Sequence, residues 1–184
     1  MKLWYWPLFA LLPGVTLGIQ LNHSPALAIS SASFTDGGVI ALQQVGPEPE
    51  CGSGEERTPQ VSWKNLPQRT QSLVVVMFDP DGAKGMGVVH WLAYNLDAAS
   101  GGLDEGAAGQ SSEIATLGPN SRGTQRYRGP CPPAGDNPHH YVLTVIATDL
   151  PAGSLPMGLD RQRLMEILHG HTLGAQSLVG RYGH

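Results

Sequence analysis

The sequence predicts a mainly β protein: two antiparallel sheets packed as a sandwich or Greek key, with short helices at the C-terminus. Three observations lead there. Glycine and proline are abundant, 24 and 15 residues of 184, while Asp, Glu, Lys and Arg make up only 14%. That balance favours strands joined by turns over long charged helices. Three apolar runs, residues 72–79, 88–96 and 141–148, have the length and composition of central strands. Helical signals gather only after Asp160.

The elements follow in chain order. Residues 39–45 are mostly apolar and read as a first strand, ended by the loop Gly46-Pro47-Glu48-Pro49-Glu50. Gln60-Val61-Ser62-Trp63 alternates and reads as a short strand. The run Ser72-Leu73-Val74-Val75-Val76-Met77-Phe78-Asp79 is continuous, which predicts burial on both faces. Residues 97–138, dense in Gly, Ser and Pro, form a long connection of the kind that usually carries function. Asp160 is placed to cap a helix running to about Gly170, with Leu164, Met165 and Leu168 on one face. A second helical piece is expected at residues 173–178.

Residues 1–28 have the form of an export signal and residues 29–184 that of one domain. Lys2 supplies the positive start, and residues 3–19 are apolar apart from Thr16 and broken by Pro7, Pro13 and Gly14. Ala26-Leu27-Ala28 is a small-residue cleavage motif. The competing reading is a retained N-terminal anchor, since the apolar stretch approaches spanning length. With cleavage the protein is expected outside the cytoplasm, periplasmic or extracellular, without a membrane span. The formal net charge of −4 becomes −5 when Lys2 is removed, and no Lys/Arg-rich run exists, which argues against nucleic acid as a partner. Cys51 and Cys131 are the two cysteines. Export favours a disulfide between them; two buried thiols are the other possibility, and spacing does not choose.

The residues with chemistry form two groups. Gly129-Pro130-Cys131-Pro132-Pro133-Ala134-Gly135 runs into His139-His140-Tyr141, a stiff loop leading polar side chains onto a strand. Asp79-Pro80-Asp81-Gly82 precedes His90-Trp91. With Thr58-Pro59-Gln60-Val61-Ser62-Trp63 and Asn95, these blocks, in this order, resemble the phosphatidylethanolamine-binding protein family, in its bacterial Raf-kinase-inhibitor-like branch. His171, Gly180 and Tyr182 are similar to that branch as well. The resemblance covers residues 34–183. It implies a two-sheet β fold and a small preformed anion pocket made by Asp79, Asp81, His90, Pro133, His139 and Tyr141. It also implies a cis peptide at Pro80. Gly82-Ala83 departs from the Ala-Pro often found after this turn in relatives.

The residues read on their own are compatible. A phosphate oxygen needs donors, and imidazole N–H, the Tyr141 hydroxyl and turn amides can supply them. Asp79 has the chemistry to hold a histidine in one tautomer. Asp81 has a second, structural reading as the cap of its own turn. Strand alternation puts His90 and Trp91 on opposite faces, with Trp91 beneath the site, and His139 with Tyr141 on one face, leaving His140 solvated. Arg122, Arg126 and Arg128 have the charge to steer anions. The expected function is non-enzymatic binding of a small anionic or phosphorylated ligand, with no cofactor. A protein-interaction role through the same pocket, as a kinase or protease inhibitor, is the alternative. A hydrolase using a Cys131–His139 pair, or a metal on His90, His139 and Asp79, ranks below both, because no strong metal spacing is present.

Overall fold

The computed structural model describes residue 1 and residues 26–184. Most of the segment read as an export signal therefore lies outside the described residues. Among the described residues, eight strands form two sheets. The smaller contains β1 (Ala28–Ser30), β2 (Val61–Lys64) and β5 (Gly102–Leu103), in the order β1-β2-β5. The larger contains β3 (Ser72–Asp79), β4 (Val88–Asp97), β6 (Thr116–Leu117), β7 (His139–Thr148) and β8 (Thr172–Tyr182), in the order β6-β4-β3-β7-β8. Neighbouring strands are antiparallel throughout.

The unbroken apolar run of β3 is explained by its central place. Leu73, Val75 and Met77 face the small sheet and pack with Trp63, Trp91, Leu143 and Val145. Val74 and Val76 face the other way, into a second core with Leu92, Tyr94, Ile146, Leu164 and Leu168. Leu164 and Leu168 come from the helix Arg161–Leu168, so the order of layers is small sheet, large sheet, helix. Asp160 caps that helix, its carboxylate accepting from the Arg163 amide at 2.7 Å.

Three local expectations are corrected. Residues 39–45 hold only a single parallel bridge, Val39 to Arg181, and a 3-10 turn at Leu42–Gln44. Their apolarity serves burial: Ile40 and Val45 are inaccessible where the segment crosses the end of β8. Residues 173–178 are strand, not helix, as part of β8. A short apolar run does not fix its own period, and the open edge of β7 supplied ten pairings. The helical C-terminal addition is thus Arg161–Leu168 alone among the described residues. Pro80 follows a trans bond, since the described residues contain no cis peptide.

The structure joins Cys51 to Cys131, with Cα atoms 4.5 Å apart and 80 positions between them in sequence. Cys51 sits in the loop behind the proline-rich segment and is fully buried. A cross-link closing so long a loop removes much conformational freedom from the unfolded chain. Reduction, or the double change Cys51→Ala with Cys131→Ala, is expected to cost about 2–5 kcal/mol of stability. Urea unfolding with and without reductant measures this, and superimposable curves would contradict it.

Candidate functional site

The site begins where β3 ends. Asp79 Oδ1 accepts from the Asp81 amide at 2.8 Å and the Gly82 amide at 2.9 Å, closing a turn on its own side chain. Ala83 and Lys84 then take left-handed conformations, φ 51° and 59°, and turn the chain toward β4. Gly82 has no room for a side chain, because a Cβ would stand 2.9 Å from Asp79 Oδ2. The capping role expected of Asp81 therefore belongs to Asp79. Asp81 points outward and grips His140, accepting from its amide at 2.8 Å and its Nδ1 at 2.9 Å. Asp81 is thus absent from the pocket lining, whereas Asp79, His90, Pro133, His139 and Tyr141 all line one cavity.

Strand register brings the aromatic groups together. Met77 stands opposite Trp91 and Phe78 opposite Val89, which leaves His90 unpaired in a bulge. A bulge breaks the alternation of faces. His90 and Trp91 consequently lie on the same side of the sheet, contrary to the alternating expectation. Trp91 is in the main core against Tyr127, and its indole N–H donates to Ala108 O at 2.9 Å. The His90 ring meets Tyr141 edge-on at 5.1 Å, and His139 stacks on Tyr141 at 6.4 Å.

Partners fix the tautomers of both pocket histidines. His90 Nδ1 lies 2.8 Å from the Arg128 carbonyl, which can only accept, so this nitrogen carries the proton. His139 Nδ1 donates to Asp79 Oδ2 at 2.8 Å. Each ring therefore keeps Nε2 for other work. His90 Nε2 stands 3.9 Å from Asp79 Oδ2, and His139 Nε2 stands 3.7 Å from Asp136 Oδ2. Tyr141 is inaccessible, and its hydroxyl has no hydrogen-bond partner among the described residues. Burial and the neighbouring Asp79 raise that phenol's pKa, so it keeps its proton.

The far wall is the proline-rich segment. Gly46 N donates to Pro130 O at 3.0 Å, and Gly129 N donates to Glu56 at 3.2 Å. Gly129 passes so close to the 44–46 backbone that a Cβ would lie 2.7 Å from Gln44 O. The wall is further held by the disulfide and by His184 Nε2, which donates to Pro132 O at 3.1 Å. The cleft between turn and wall, open to solvent on one side, holds about 380 Å³. A larger hollow of about 680 Å³ lies elsewhere, and its lining includes Asp97, Asp104 and Glu113 but no basic side chain, so it suits an anion poorly.

The three arginines divide. Arg128 pairs with Glu48 at 2.8 Å and Glu56 at 3.2 Å, and Arg126 pairs with Glu56 at 2.7 Å. Arg122 lines the cavity without a salt bridge to a described acid. Asn120 sets its position. This buried side chain accepts from the Arg122 amide at 2.9 Å and the Thr124 amide at 3.2 Å. The sequence signal for it was the turn Pro119-Asn120-Ser121-Arg122-Gly123.

Cys131 is bonded to Cys51, so it offers no thiolate to His139, and the Cys–His hydrolase reading fails. Among the described residues no group of three or more His, Cys, Asp or Glu side chains is arranged to hold a metal ion.

Burial pushes the Asp79 carboxyl upward in pKa, but the His90 and His139 imidazoles with the Gly82 amide more than offset it, leaving the value below that of an ordinary carboxylate. Its stabilising contribution is complete above the unfolded value near 3.9 and disappears as pH falls through the lower folded value. Unfolding measured from pH 6 to 2 is expected to show stability falling below about pH 4. Asp79→Asn is expected to be less stable at pH 6 with a shallower acid limb. An unchanged limb would remove Asp79 as its source.

The chain matches the family described as phosphatidylethanolamine-binding protein over residues 30–183. It is 34% identical over 131 residues to the protein UPF0098 of Methanothermobacter thermautotrophicus, covering 70% of this chain and 84% of that one. It is 36% identical over 156 residues to LppC of Mycobacterium tuberculosis, a protein whose name describes it as a lipoprotein, covering 85% and 72%. The crystal structure of E. coli YbcL, described as a new member of the mammalian PEBP family, superposes with a TM-score of 0.78 at 25% identity, covering 87% of this chain and 99% of that one. CT736 of Chlamydia trachomatis gives 0.73 at 28% identity, covering 86% and 98%. With its two antiparallel sheets and this match along nearly the whole domain, the chain belongs to the phosphatidylethanolamine-binding protein family.

Proposed function

We propose that this protein reversibly binds a small anionic, phosphate-containing ligand in the cavity between the Asp79 turn and the proline wall, without chemical conversion. One observation carries the reading: among the described residues, the buried Tyr141 hydroxyl beside the cavity has no partner. A buried polar group left unpaired is costly, and native structures leave few of them. The hydroxyl is inaccessible in this structure, so a ligand oxygen would accept from it only once the side chains covering it part. Around that hydroxyl stand His90 and His139, each with Nε2 uncommitted to a hydrogen bond, and Arg122 adds a fixed positive charge at the rim. A phospholipid headgroup and a phosphorylated metabolite both supply this chemistry.

Export is part of the same reading. A cut after Ala28 would leave Ile29 and Ser30 still paired with Trp63 and Ser62. A paired Cys51 and Cys131 suit an oxidising compartment. No described helix is long and apolar enough to cross a membrane.

Two measurements test the site. Titration calorimetry with phosphate esters is expected to show binding that His139→Ala weakens by about 10–100-fold, the range for losing a charge-assisted hydrogen bond. Equal binding by both proteins would withdraw the pocket assignment. Affinity is expected to fall as pH rises from about 5 to about 8, because imidazolium attracts an anion and neutral imidazole does not. A rise over that interval would contradict it.

A further inference from the structure

The pocket groups form a continuous row, from the Arg128 carbonyl through His90, Asp79 and His139 to Asp136. Both Nδ1 protons are already committed, to Arg128 O and to Asp79. With neutral rings, each Nε2 is therefore a lone pair, an acceptor rather than a donor. Donors are few: the Ser121 hydroxyl, which accepts from Val89 N at 2.8 Å and keeps its own proton, and the Cys131 amide, with no partner among the described residues, are the polar groups left over in the lining. The wall contributes Pro130, Pro132 and Pro133, which have no N–H. The Gly82 amide is held by Asp79, Ser121 N by Val89 O, Arg122 N by Asn120 and Arg128 N by His90 O. Tyr141 O–H has no partner among the described residues, but it is buried behind the lining and not open to the cavity.

The charges agree with this donor shortage. Asp79 from β3 is negative and buried, and Asp136 from the wall loop is negative and exposed. Arg128 faces Glu48 and Glu56, and Asp81 is matched with His140 outside the cavity. Arg122 at the rim is the remaining fixed cation of the lining. An anion reaching the unprotonated row meets Asp79 and two acceptor nitrogens. A single proton on either Nε2 turns an acceptor into a donor and cancels the charge of Asp79.

We propose that anion capture in this pocket is coupled to the uptake of one proton, held at Nε2 of His90 or His139 across Asp79. The site is then a proton-linked anion trap, loading in mildly acidic surroundings and releasing in alkaline ones. This rests on the anion-pocket reading above and adds to it a stoichiometry and an atom.

The probe is dimethyl phosphate, whose single charge is constant between pH 5 and 8, so any proton taken up belongs to the protein. Calorimetry at pH 7.5 in two buffers of different ionisation enthalpy is expected to give an uptake of about one proton per ligand, with affinity falling about tenfold per pH unit wherever that uptake is complete. In Asp79→Asn, uptake is expected to drop toward zero. Nitrogen-15 spectra of the ligand-free wild-type protein at pH 8 are expected to show both rings as Nδ1–H tautomers, a check that needs no variant. Binding with no proton uptake and no pH slope would overturn the coupling while leaving the pocket reading intact. An Nε2–H tautomer at either ring would overturn it as well. Failure of dimethyl phosphate and of a phosphate monoester to bind anywhere from pH 5.5 to 8 would remove the pocket reading and the coupling together.

Discussion

Asp79 is the last residue of β3, and its two carboxylate oxygens work in different directions. One closes the turn that starts the next segment, by accepting the amides of Asp81 and Gly82. The other orients His139 across the sheet and faces His90. Because Asp79 is buried, both tasks are carried out largely away from bulk water. The consequence is mechanical coupling. The turn cannot shift without moving the carboxylate, and the carboxylate cannot shift without releasing the imidazole. Buried polar groups in a low-dielectric setting are costly unless every bond is made, and that cost makes the arrangement specific.

A second frame fixes the opposite wall, and its bonds all come from distant sequence. Glu48 and Glu56 hold Arg128, Glu56 also takes the Gly129 amide, and the disulfide binds the same loop to Cys131. Arg128 then reaches His90 in both directions, donating its amide to His90 O and accepting from Nδ1. The wall and the sheet are thus joined through backbone at His90, at the residue where β4 bulges. A bulge re-aims a side chain without interrupting a sheet, and here it turns His90 toward Tyr141.

Much of this was legible in the sequence. Ser72–Asp79 was read at its observed limits because a long, unbroken apolar run in this composition has few other solutions. Asp160 was legible as a cap because capping is local chemistry. What escaped was non-local. Residues 173–178 took their conformation from the edge of β7, not from their own pattern. Strands of two residues, Gly102–Leu103 and Thr116–Leu117, exist only through their partners. The swap of roles between Asp79 and Asp81 was hidden because either carboxylate can close an Asx turn, and His140, 59 positions away, decides which one is free. The three arginines were indistinguishable for the same reason, being sorted by acids some 70 to 80 positions distant.

A formal net charge of −4 makes this chain, at first sight, an unpromising host for an anion. Net charge is the wrong quantity, because exposed charges beyond about 8 Å are largely screened at physiological ionic strength. What counts is the balance inside the cavity, and here the structure separates two kinds of positive charge. Arg126 and Arg128 are consumed in building the wall, whereas Arg122 stays at the rim. Backbone amides, which form the permanent anion sites of many proteins, are thinned out in the wall by its prolines, and those of Gly82, Arg122 and Gly129 are already bonded. On the proposed reading, the sensing of charge is left to imidazoles. An amide cannot change its charge and an imidazole can, so a pocket built this way responds to its surroundings where an amide nest would not.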